Sequence, residues 1–318
     1  MRRAGERHDE DWARLRGRDA RYFAPECAEG VPDVAWAYSE DPRARTDMAA
    51  LWAEAETNGG AGPVGGVGRP ELCAAVKRIE RDKLVEPTIT RDVMSSTEKG
   101  ELAGLASRVK SPKSMARKIR DKSAGREDEP GSVQTQVADG LKDTIRYTDK
   151  VARPNELVGE ARTVTNNLVT HGYRVVEAES FYADGAPYKG LHTTIEAPDG
   201  TKFELQFHSA ESLEVKEGPE SSGGTGGIHV FYEHYREAKN RKDWRGQEVC
   251  SACWDECVRQ SGTVKTPVGM DGLTELGGCK VTQVVAEKPW WYIEPEEREE
   301  YTGNVRDSDL RDEARRLV

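Results

Sequence analysis

The chain has 318 residues, of which 36% are hydrophobic and 33% charged, and a formal net charge of −10. This composition predicts one large globular domain with polar extensions, or two modest domains, and argues against a general nucleic-acid coat while allowing a local basic site. No segment reaches the ~18 apolar residues of a membrane-spanning helix, and the arginines at the start precede no apolar stretch, so we predict neither a transmembrane helix nor a signal peptide and expect a cytoplasmic protein.

The N-terminal part of the chain gives few structural signals. Residues 1–57 mix arginine, acids and tryptophan without a clear period, apart from a short predicted helix over 47–56, and form a poorly defined flank. Residues 58–70 read NGGAGPVGGVGRP, a glycine-rich composition typical of a flexible linker. We therefore predict a domain boundary in this linker.

The pattern after the linker predicts a single domain over 71–240. Apolar residues at helical spacing indicate two helices, the second capped by Thr88 or Thr90, and a basic helix follows over 112–122. Next come a strand over 143–148, a helix over 155–171, strands over 173–182, 191–197 and 202–208 with a hairpin turn at 198–200, and a helix over 228–240. This order predicts an α+β fold in which helices flank a mixed β-sheet. Residues 241–318 form a C-terminal extension with a cysteine cluster and an acidic tail.

A basic segment stands out in this acidic chain. Residues 108–126 contain eight lysines and arginines but only one acidic residue, Asp121. On a helix, four residues of the segment share one face: Lys110, Ser114, Arg117 and Lys118. Such a face can neutralise a triphosphate, because arginine gives forked contacts and lysine a point charge. Taken alone, however, a charge run is more often a solvated helix surface.

Two further groups of polar residues suggest a site. Asp143, at a predicted strand edge and followed by Arg146, suits a magnesium ion beside a phosphate, although, taken alone, a surface strand with an incidental ion pair is the favoured interpretation. Along the strand 202–208 the alternation puts Glu204, Gln206 and His208 on one face, close in sequence to His192. That face is a plausible floor for an active site, and a polar face turned to water is the alternative.

Together these segments resemble the synthetase domain of the RelA/SpoT family, whose fold is related to that of the nucleotidyltransferases. Four residues look like the R-x-K…S…K signature that holds the ATP phosphates: Arg108, Lys110, Ser114 and Lys118. Asp143 stands where the family has its magnesium-binding aspartate ahead of an arginine, here Arg146. The resemblance covers residues 108–236.

The later motifs follow in the same order. Tyr188 and His192 resemble the G-Y-x-S-x-H segment, whose tyrosine stacks on the acceptor base and whose histidine contacts a phosphate. Glu204 and Gln206 resemble the E-x-Q strand, whose glutamate is the catalytic carboxylate near the metal and whose glutamine lies on the acceptor side. Residues 229–232 resemble the H-x-x-Y segment that closes the domain.

Three departures from the family pattern bear on the acceptor. The spacing from Asp143 to Arg146 is shorter than in D-x-x-G-x-R, Gly190 stands in place of the serine before the histidine, and His208 replaces an arginine that often follows E-x-Q. These departures look more like the compact, toxin-type alarmone synthetases. The resemblance therefore leaves the acceptor open.

The resemblance implies a nucleotide pyrophosphokinase that transfers pyrophosphate from ATP to the 3′-hydroxyl of a guanine or adenine nucleotide. It implies Mg²⁺ held by Asp143 and Glu204, donor phosphates held by the basic segment, and, for a toxin, an antitoxin or immunity protein as partner. One alternative is a toxin that pyrophosphorylates the 3′ end of tRNA, which the acidic net charge disfavours. Another is a binding or structural protein with a degenerate synthetase domain.

Four late cysteines allow a second kind of site. Cys250, Cys253 and Cys257 lie on one face of a predicted helix and, with Cys279, contain enough thiolates for a tetrahedral zinc ion. Only one C-x-x-C pair is present, however, and buried helix cysteines are the more common outcome. Burial is the interpretation that we favour.

Overall fold

The computed structural model describes residues 67–124, 126, 132–219, 227–235 and 244–298. The predicted N-terminal flank with its helix over 47–56, most of the linker, and the acidic tail lie outside these described residues. The same holds for residues 220–226 and for the end of the helix predicted over 228–240.

The described residues form helices on a mixed sheet. The helices are α1 (Arg69–Ser96), α2 (Pro112–Ser123), α3 (Ser132–Asp139), α4 (Leu157–Thr170), α5 (Ala210–Glu217), α6 (His229–Tyr235) and α7 (Trp244–Ser261). The strands are β1 (Glu101–Ala103), β2 (Arg146–Val151), β3 (Arg174–Ser180), β4 (Leu191–Glu196), β5 (Lys202–Ser209), β6 (Glu275–Leu276) and β7 (Cys279–Gln283). Short 3₁₀ turns lie at Leu105–Ser107, Pro154–Glu156 and Pro295–Glu297.

The sheet has the strand order β1-β2-β5-β4-β3-β7-β6. Strand β7 runs parallel to β3, with Ala178 opposite Val281, and antiparallel to β6, so the sheet is mixed. The predicted α+β class, with a mixed sheet flanked by helices, is confirmed. Strand β7 comes from the predicted C-terminal extension, and that extension therefore contributes to the sheet.

The two helices predicted after the linker are one helix, α1, of 28 residues. Pro87 lies inside it, and Thr90, expected as a cap, is buried in its interior. Proline costs a helix interior about 3 kcal/mol, because it removes an N–H donor and crowds the preceding turn. The fully buried Ile79 and Val93, on either side of Pro87, indicate that tertiary packing outweighs this cost.

The chain divides into two compact units, each built from several segments. The first unit comprises the described residues up to Asp149 together with Arg162–Glu177 and Thr193–Gln206. The second comprises Lys150–Ala161, Ala178–His192 and the described residues from Phe207 onward. The domain boundaries predicted from the sequence, near residues 57, 70 and 240, stay predictions.

Each unit has its own apolar core. In the first unit, α1, α2 and α3 pack together through buried side chains that include Leu72, Ile79, Met115, Ile119 and Val137. In the second unit, α6 and α7 pack through Ile228, Phe231, Val249, Ala252, Cys253 and Cys257. None of the helices in the described ranges combines the length and the apolar character needed to cross a lipid bilayer.

Candidate active site

Local backbone structure brings Lys110 next to Asp143. Val109 and Ile145 form an antiparallel bridge, and the Lys110 amide donates to the Thr144 carbonyl at 2.9 Å. The segment after Arg108 therefore lies alongside the segment that leads into β2. Lys110 and Asp143 are 33 positions apart in the sequence, and this bridge is what sets them side by side.

Helix α2 supplies the second lysine. Ser111 caps the helix, since its hydroxyl accepts from the Ser114 amide at 3.3 Å, and Pro112 occupies the first turn, where its missing N–H has no cost. The buried Met115 and Ile119 fix the apolar face of the helix against the core, and Lys118 is half-buried, with 30% of its side chain exposed.

The two lysines converge on one carboxylate oxygen. Lys110 Nζ lies 2.5 Å and Lys118 Nζ 2.7 Å from Asp143 Oδ2. Burial alone would raise the pKa of Asp143, but the two ammonium groups together hold it well below its usual range. Burial also lowers the pKa of Lys110, and Asp143 opposes that shift. The like charges of Lys118 and Arg146 lower the pKa of Lys110 further.

The second oxygen of the Asp143 carboxylate, Oδ1, has a different environment from Oδ2. Asp143 Oδ1 is buried and has no hydrogen-bond partner among the described residues. A buried carboxylate oxygen without a donor is unfavourable, and a bound cation would satisfy it. Mg²⁺ is typically held by one or two carboxylates together with substrate phosphates and water. Asp143 therefore fits as one protein ligand of a magnesium ion.

Glu204 lies on the strand next to this segment. Its amide donates to the carbonyl of Ile145 at 3.0 Å, two residues beyond Asp143, and its carboxylate accepts from the Gln206 side chain. Glu204 is half-buried, whereas Gln206 is only 4% exposed. The described residues contain no group of three or more His, Cys, Asp or Glu side chains arranged to hold a metal. Asp143 and Glu204 would need the phosphates themselves to complete a magnesium shell.

Strand β5 is more buried than a strand with a polar face turned to water. Its burial begins as an alternation and then covers every residue from Leu205 to Ser209, with His208 fully buried. The alternative of a solvated polar face is therefore wrong for Gln206 and His208.

Arg108 is placed apart from the lysine cluster. Its guanidinium forms a buried ion pair with Glu86 of α1, with 4% and 0% of the two side chains exposed, and also donates to the Leu105 carbonyl at 2.9 Å. Thr90 contacts the same glutamate and lies 2.7 Å from the hydroxyl of Tyr147. In this arrangement Arg108 joins α1 to the start of the site, and its phosphate-binding role stays a prediction. No sequence signal pointed to Glu86.

The second unit contains Tyr188, predicted to stack on the acceptor base, and His192, predicted to contact a phosphate, whereas Gln206, predicted on the acceptor side, belongs to the first unit. The Tyr188 hydroxyl lies 2.6 Å from Nε2 of His192 and 2.6 Å from Nε2 of His208. Phe181 packs against Tyr188 and His192, with ring centroids 5.5 and 4.9 Å away. Phe181, Tyr188 and His192 are each half-buried, and together they form a small aromatic cluster.

Lys189 secures the loop that carries Tyr188. It is 6% exposed, and its ammonium donates to the carbonyls of Tyr182 and Ala183. The Phe181 amide donates to the Gly190 carbonyl at 2.9 Å and closes the same loop at its base. Sequence reasoning missed Lys189, and its place beside Tyr188 was the only available signal.

The cysteines behave as core residues. Cys250, Cys253 and Cys257 are buried along α7, and burial raises the pKa of the Cys253 and Cys257 thiols above their usual value. Cys279 lies on β7, with its thiol directed to the Lys280 carbonyl. The described part of the chain contains no group of three or more potential ligand side chains placed to hold a metal, and the geometry there supports packing over a zinc site.

Comparison with known proteins gives distant structural similarity. No protein-family profile and no curated protein matches the chain. The chain is similar to the type VI effector Tas1, solved in complex with its immunity protein, at 19% identity and a TM-score of 0.33, over 60% of this chain and 92% of that one. It is also similar to a GTP pyrophosphokinase family protein from Streptococcus pneumoniae, at 14% identity and a TM-score of 0.28, over 60% of this chain and 86% of that one. Similarity of this degree carries no weight for the reaction, which has to be argued from the site.

Proposed function

We propose that the protein is a nucleotide pyrophosphokinase that transfers the β,γ-pyrophosphate of ATP to the 3′-hydroxyl of a guanine or adenine nucleotide. The observation that carries the proposal is the convergence of Lys110 and Lys118 on Asp143. These three residues are the ones that the family resemblance assigns to donor phosphates and metal, and they come from three separate segments.

The lysine cluster has the properties that a polyphosphate site needs. Two ammonium groups sit within 2.7 Å of a single carboxylate oxygen, and Arg146 adds a third positive charge nearby. A triphosphate would compete with Asp143 Oδ2 for the lysines, while Asp143 Oδ1 stays available to a cation that accompanies the phosphates. Ser114, at the start of α2, would add a hydroxyl donor.

The reaction needs in-line positioning, charge neutralisation and removal of one proton. The acceptor 3′-oxygen forms a bond to the β-phosphorus, the bond from that phosphorus to the bridging oxygen of the α-phosphate breaks, and AMP leaves with the electron pair. In this proposal Glu204 accepts the proton of the attacking hydroxyl, and Gln206 holds its carboxylate in place. Bound magnesium would supply further neutralisation of the phosphates.

The acceptor side of the proposal rests on the second unit. Tyr188 would stack on the acceptor base, and His192 would contact an acceptor phosphate. An aromatic ring can stack on any nucleobase, because every base has a π-face, so Tyr188 suits guanine and adenine alike.

A toxin role would add a protein partner. An unregulated enzyme that consumes ATP is harmful to the cell that makes it, so an antitoxin or immunity protein forms part of that version of the proposal. With ATP and nucleotides as substrates, the site of action is the cytoplasm.

The direct test uses purified full-length protein, ATP labelled at the γ-phosphate, magnesium, and a panel of guanine and adenine nucleotides and tRNA. We expect AMP and a labelled nucleotide that carries both the β- and γ-phosphates. Label at the 3′ end of tRNA, with none on free nucleotides, would favour the tRNA alternative. Free phosphate or ADP alone, across the whole panel, would rule out pyrophosphate transfer, and unchanged ATP would favour a binding protein.

A matched pair of lysine variants tests the donor site. Lys118→Ala removes one of the two ammonium groups from Asp143, and we expect the KM for ATP to rise about tenfold, the loss of one charge-assisted contact. Lys142→Ala is the control, since that lysine is exposed and pairs only with Glu177 in the described structure. Equal KM values in the two variants would count against the lysine cluster as the phosphate site.

A further inference from the structure

The second unit contains a chain of polar contacts that the family resemblance does not include. It runs from His192 through the Tyr188 hydroxyl to His208, whose Nδ1 lies 2.9 Å from the Ser212 hydroxyl. His208 and Ser212 are buried, with 0% and 2% exposure, whereas His192 and Tyr188 are half-buried. The chain therefore connects the proposed acceptor residues to the interior of the unit.

Counting protons constrains this chain. A phenol has one proton, so Tyr188 can donate to only one of the two imidazole nitrogens at 2.6 Å and must accept from the other. In neutral imidazoles, one Nε2 therefore carries a proton and the other does not. The two histidines must be in opposite tautomers, coupled through a single hydroxyl.

Ser212 indicates the direction of the chain. Its hydroxyl accepts from the Ser209 amide at 3.0 Å and donates to the Ser209 carbonyl at 3.2 Å. With its proton used in this way, Ser212 accepts from Nδ1 of His208, which leaves Nε2 of His208 bare to accept from Tyr188. His192 is then the ring that carries its proton on Nε2.

Gly190 provides the space for this arrangement. A Cβ built on Gly190 would lie 2.2 Å from the Tyr188 hydroxyl oxygen and 2.7 Å from Cζ, well inside contact distance. The two departures from the family pattern at this end of the sequence, glycine for serine at 190 and histidine for arginine at 208, therefore have one explanation. Gly190 lets the phenol reach the imidazoles, and His208 gives it a partner.

We propose that His208 is a positioning residue, which through the Tyr188 hydroxyl fixes the rotamer of Tyr188 and the tautomer of His192. The inference rests on the proposed function in one respect: it takes Tyr188 and His192 as the residues that meet the acceptor nucleotide. His208 itself is fully buried and acts on substrate only through Tyr188.

The first test needs no substrate. Long-range ¹H–¹⁵N spectra of the wild-type imidazoles distinguish a protonated ring nitrogen from a bare one, and His192→Gln and His208→Gln assign the two rings. We expect His208 protonated on Nδ1 and His192 on Nε2. Tyr188→Phe, which removes one oxygen and keeps the ring, should release His192 into a mixture of tautomers. The same tautomer in both rings, or spectra that Tyr188→Phe leaves unchanged, would overturn the proposal.

The second test is a double-mutant cycle on acceptor kinetics. His208→Gln removes one partly buried hydrogen bond and should raise the acceptor KM about three- to tenfold, with the KM for ATP unchanged. Tyr188→Phe removes the contacts with both histidines and should raise the acceptor KM at least as much. The double variant should be no worse than Tyr188→Phe alone, because the contact with His208 is already lost in that variant. Additive effects would show that His208 does not act through Tyr188.

Gly190→Ala is an independent way to break the contacts between the Tyr188 hydroxyl and the two histidines. We expect the added methyl group to displace the phenol and to reproduce the spectra and the acceptor KM of Tyr188→Phe. Gly159→Ala is the control, since its Cβ would meet nothing within 4 Å, and it should leave both readouts unchanged.

The outcomes of these tests separate the proposed positioning role from the proposed reaction. Opposite tautomers without AMP formation refute the proposed reaction alone. AMP formation with the same tautomer in both rings refutes the positioning role alone.

Discussion

Asp143 meets two opposing requirements in the proposed reaction. In the free protein it neutralises Lys110 and Lys118, which would otherwise be two like charges near each other in a half-buried site. In the proposed complex with ATP, the same lysines would turn to phosphate, and the carboxylate would be left to a cation. The proposal thus gives Asp143 a role in stability and a role in the chemistry, and its replacement has to be measured for the two separately.

The stability role of Asp143 depends on pH in a definite direction. Its folded-state pKa is depressed below the ~3.9 of an unfolded aspartate, so its contribution is present above about pH 4 and is lost as the pH falls through the folded-state pKa. Asp143→Asn should therefore cost on the order of 2 kcal/mol at pH 7, and the difference from wild type should shrink by about 1 kcal/mol by pH 3. Denaturant melts at both pH values measure this.

The exposed Asp271 provides the control for that experiment. Asp271→Asn should stay within about 0.5 kcal/mol of wild type at both pH values. A gap between wild type and Asp143→Asn that is equally large at pH 3 and pH 7 would show that the loss comes from packing and not from charge.

In the proposed reaction, Glu204 is the residue on which the chemical step depends most. Glu204→Gln keeps the shape and one carbonyl oxygen for the Gln206 amide, but removes the negative charge and the ability to take a proton. Turnover should fall by about a hundredfold or more, while the melting temperature hardly changes. Single-turnover rates with saturating ATP measure this.

Glu196→Gln, on the neighbouring strand β4, is the matched control for Glu204. Glu196 makes surface ion pairs with Arg174 and Lys202, and pairs of this kind contribute little. Its turnover should match that of wild type. A Glu204→Gln protein with the same rate as Glu196→Gln would remove the catalytic assignment.

The sequence predicts contacts between residues that belong to the motifs of the resemblance and gives no signal for partners outside them. Lys110, Lys118 and Asp143 are predicted as one site and do come together. The burial of Arg108 does not follow from the sequence, because its partner Glu86 lies on α1, outside every motif. His208 was noticed only as a departure from the family, since the contact that explains it needs the fold of the Tyr188 loop.

At the level of single elements, α2 agrees with its predicted bounds to within one residue, as β4 and β5 do. It was predicted over 112–122 and runs from Pro112 to Ser123, with Ser111 as its cap. The cap bears on the proposed site, because Lys110 precedes the first turn of α2 and Lys118 follows it. The geometry of that turn therefore sets the distance between the two lysines. A frayed first turn would loosen the geometry of both lysines around Asp143.

Removing the cap should have a measurable cost. Ser111→Ala leaves the Ser114 amide without its acceptor, and we expect a loss of about 1 kcal/mol in the free energy of unfolding together with a modest rise in the KM for ATP. Ser95→Ala, at an exposed position near the end of α1, should change stability by less than about 0.5 kcal/mol. Equal stability of the two variants would mean that the Ser111 side chain does not hold the helix start.

Elements decided by packing were harder to predict. A proline inside a helical pattern normally marks a boundary, and the chain was accordingly divided near residue 88, although α1 continues through Pro87. The short β1, β6 and β7 carry too few residues for a periodicity signal, and β7 becomes a strand by pairing with β3, about a hundred positions earlier in the sequence.

At the scale of the whole molecule, the C-terminal segment is the part for which the sequence-based prediction and the structure differ most. The sequence suggested an appended extension after residue 240. In the second unit, however, β7 hydrogen-bonds to β3, and α7 packs on α6 through Val249, Cys253 and Cys257 against Phe231 and Ile228. These contacts make the segment part of the folded unit that carries Tyr188 and His192.

Two truncations test this at the level of the chain. Deleting residues 241–318 removes β7 and α7 and exposes Phe231 and Ile228. Each large side chain returned to water costs about 1.5–3 kcal/mol against a total stability of about 5–15 kcal/mol. We expect the cooperative melt of the second unit, and with it acceptor binding, to be lost. Deleting residues 1–57, which precede the glycine-rich linker, should leave the melt intact. If the C-terminal truncation melts like the full chain, residues 241–318 are an extension after all, and the sheet does not depend on them.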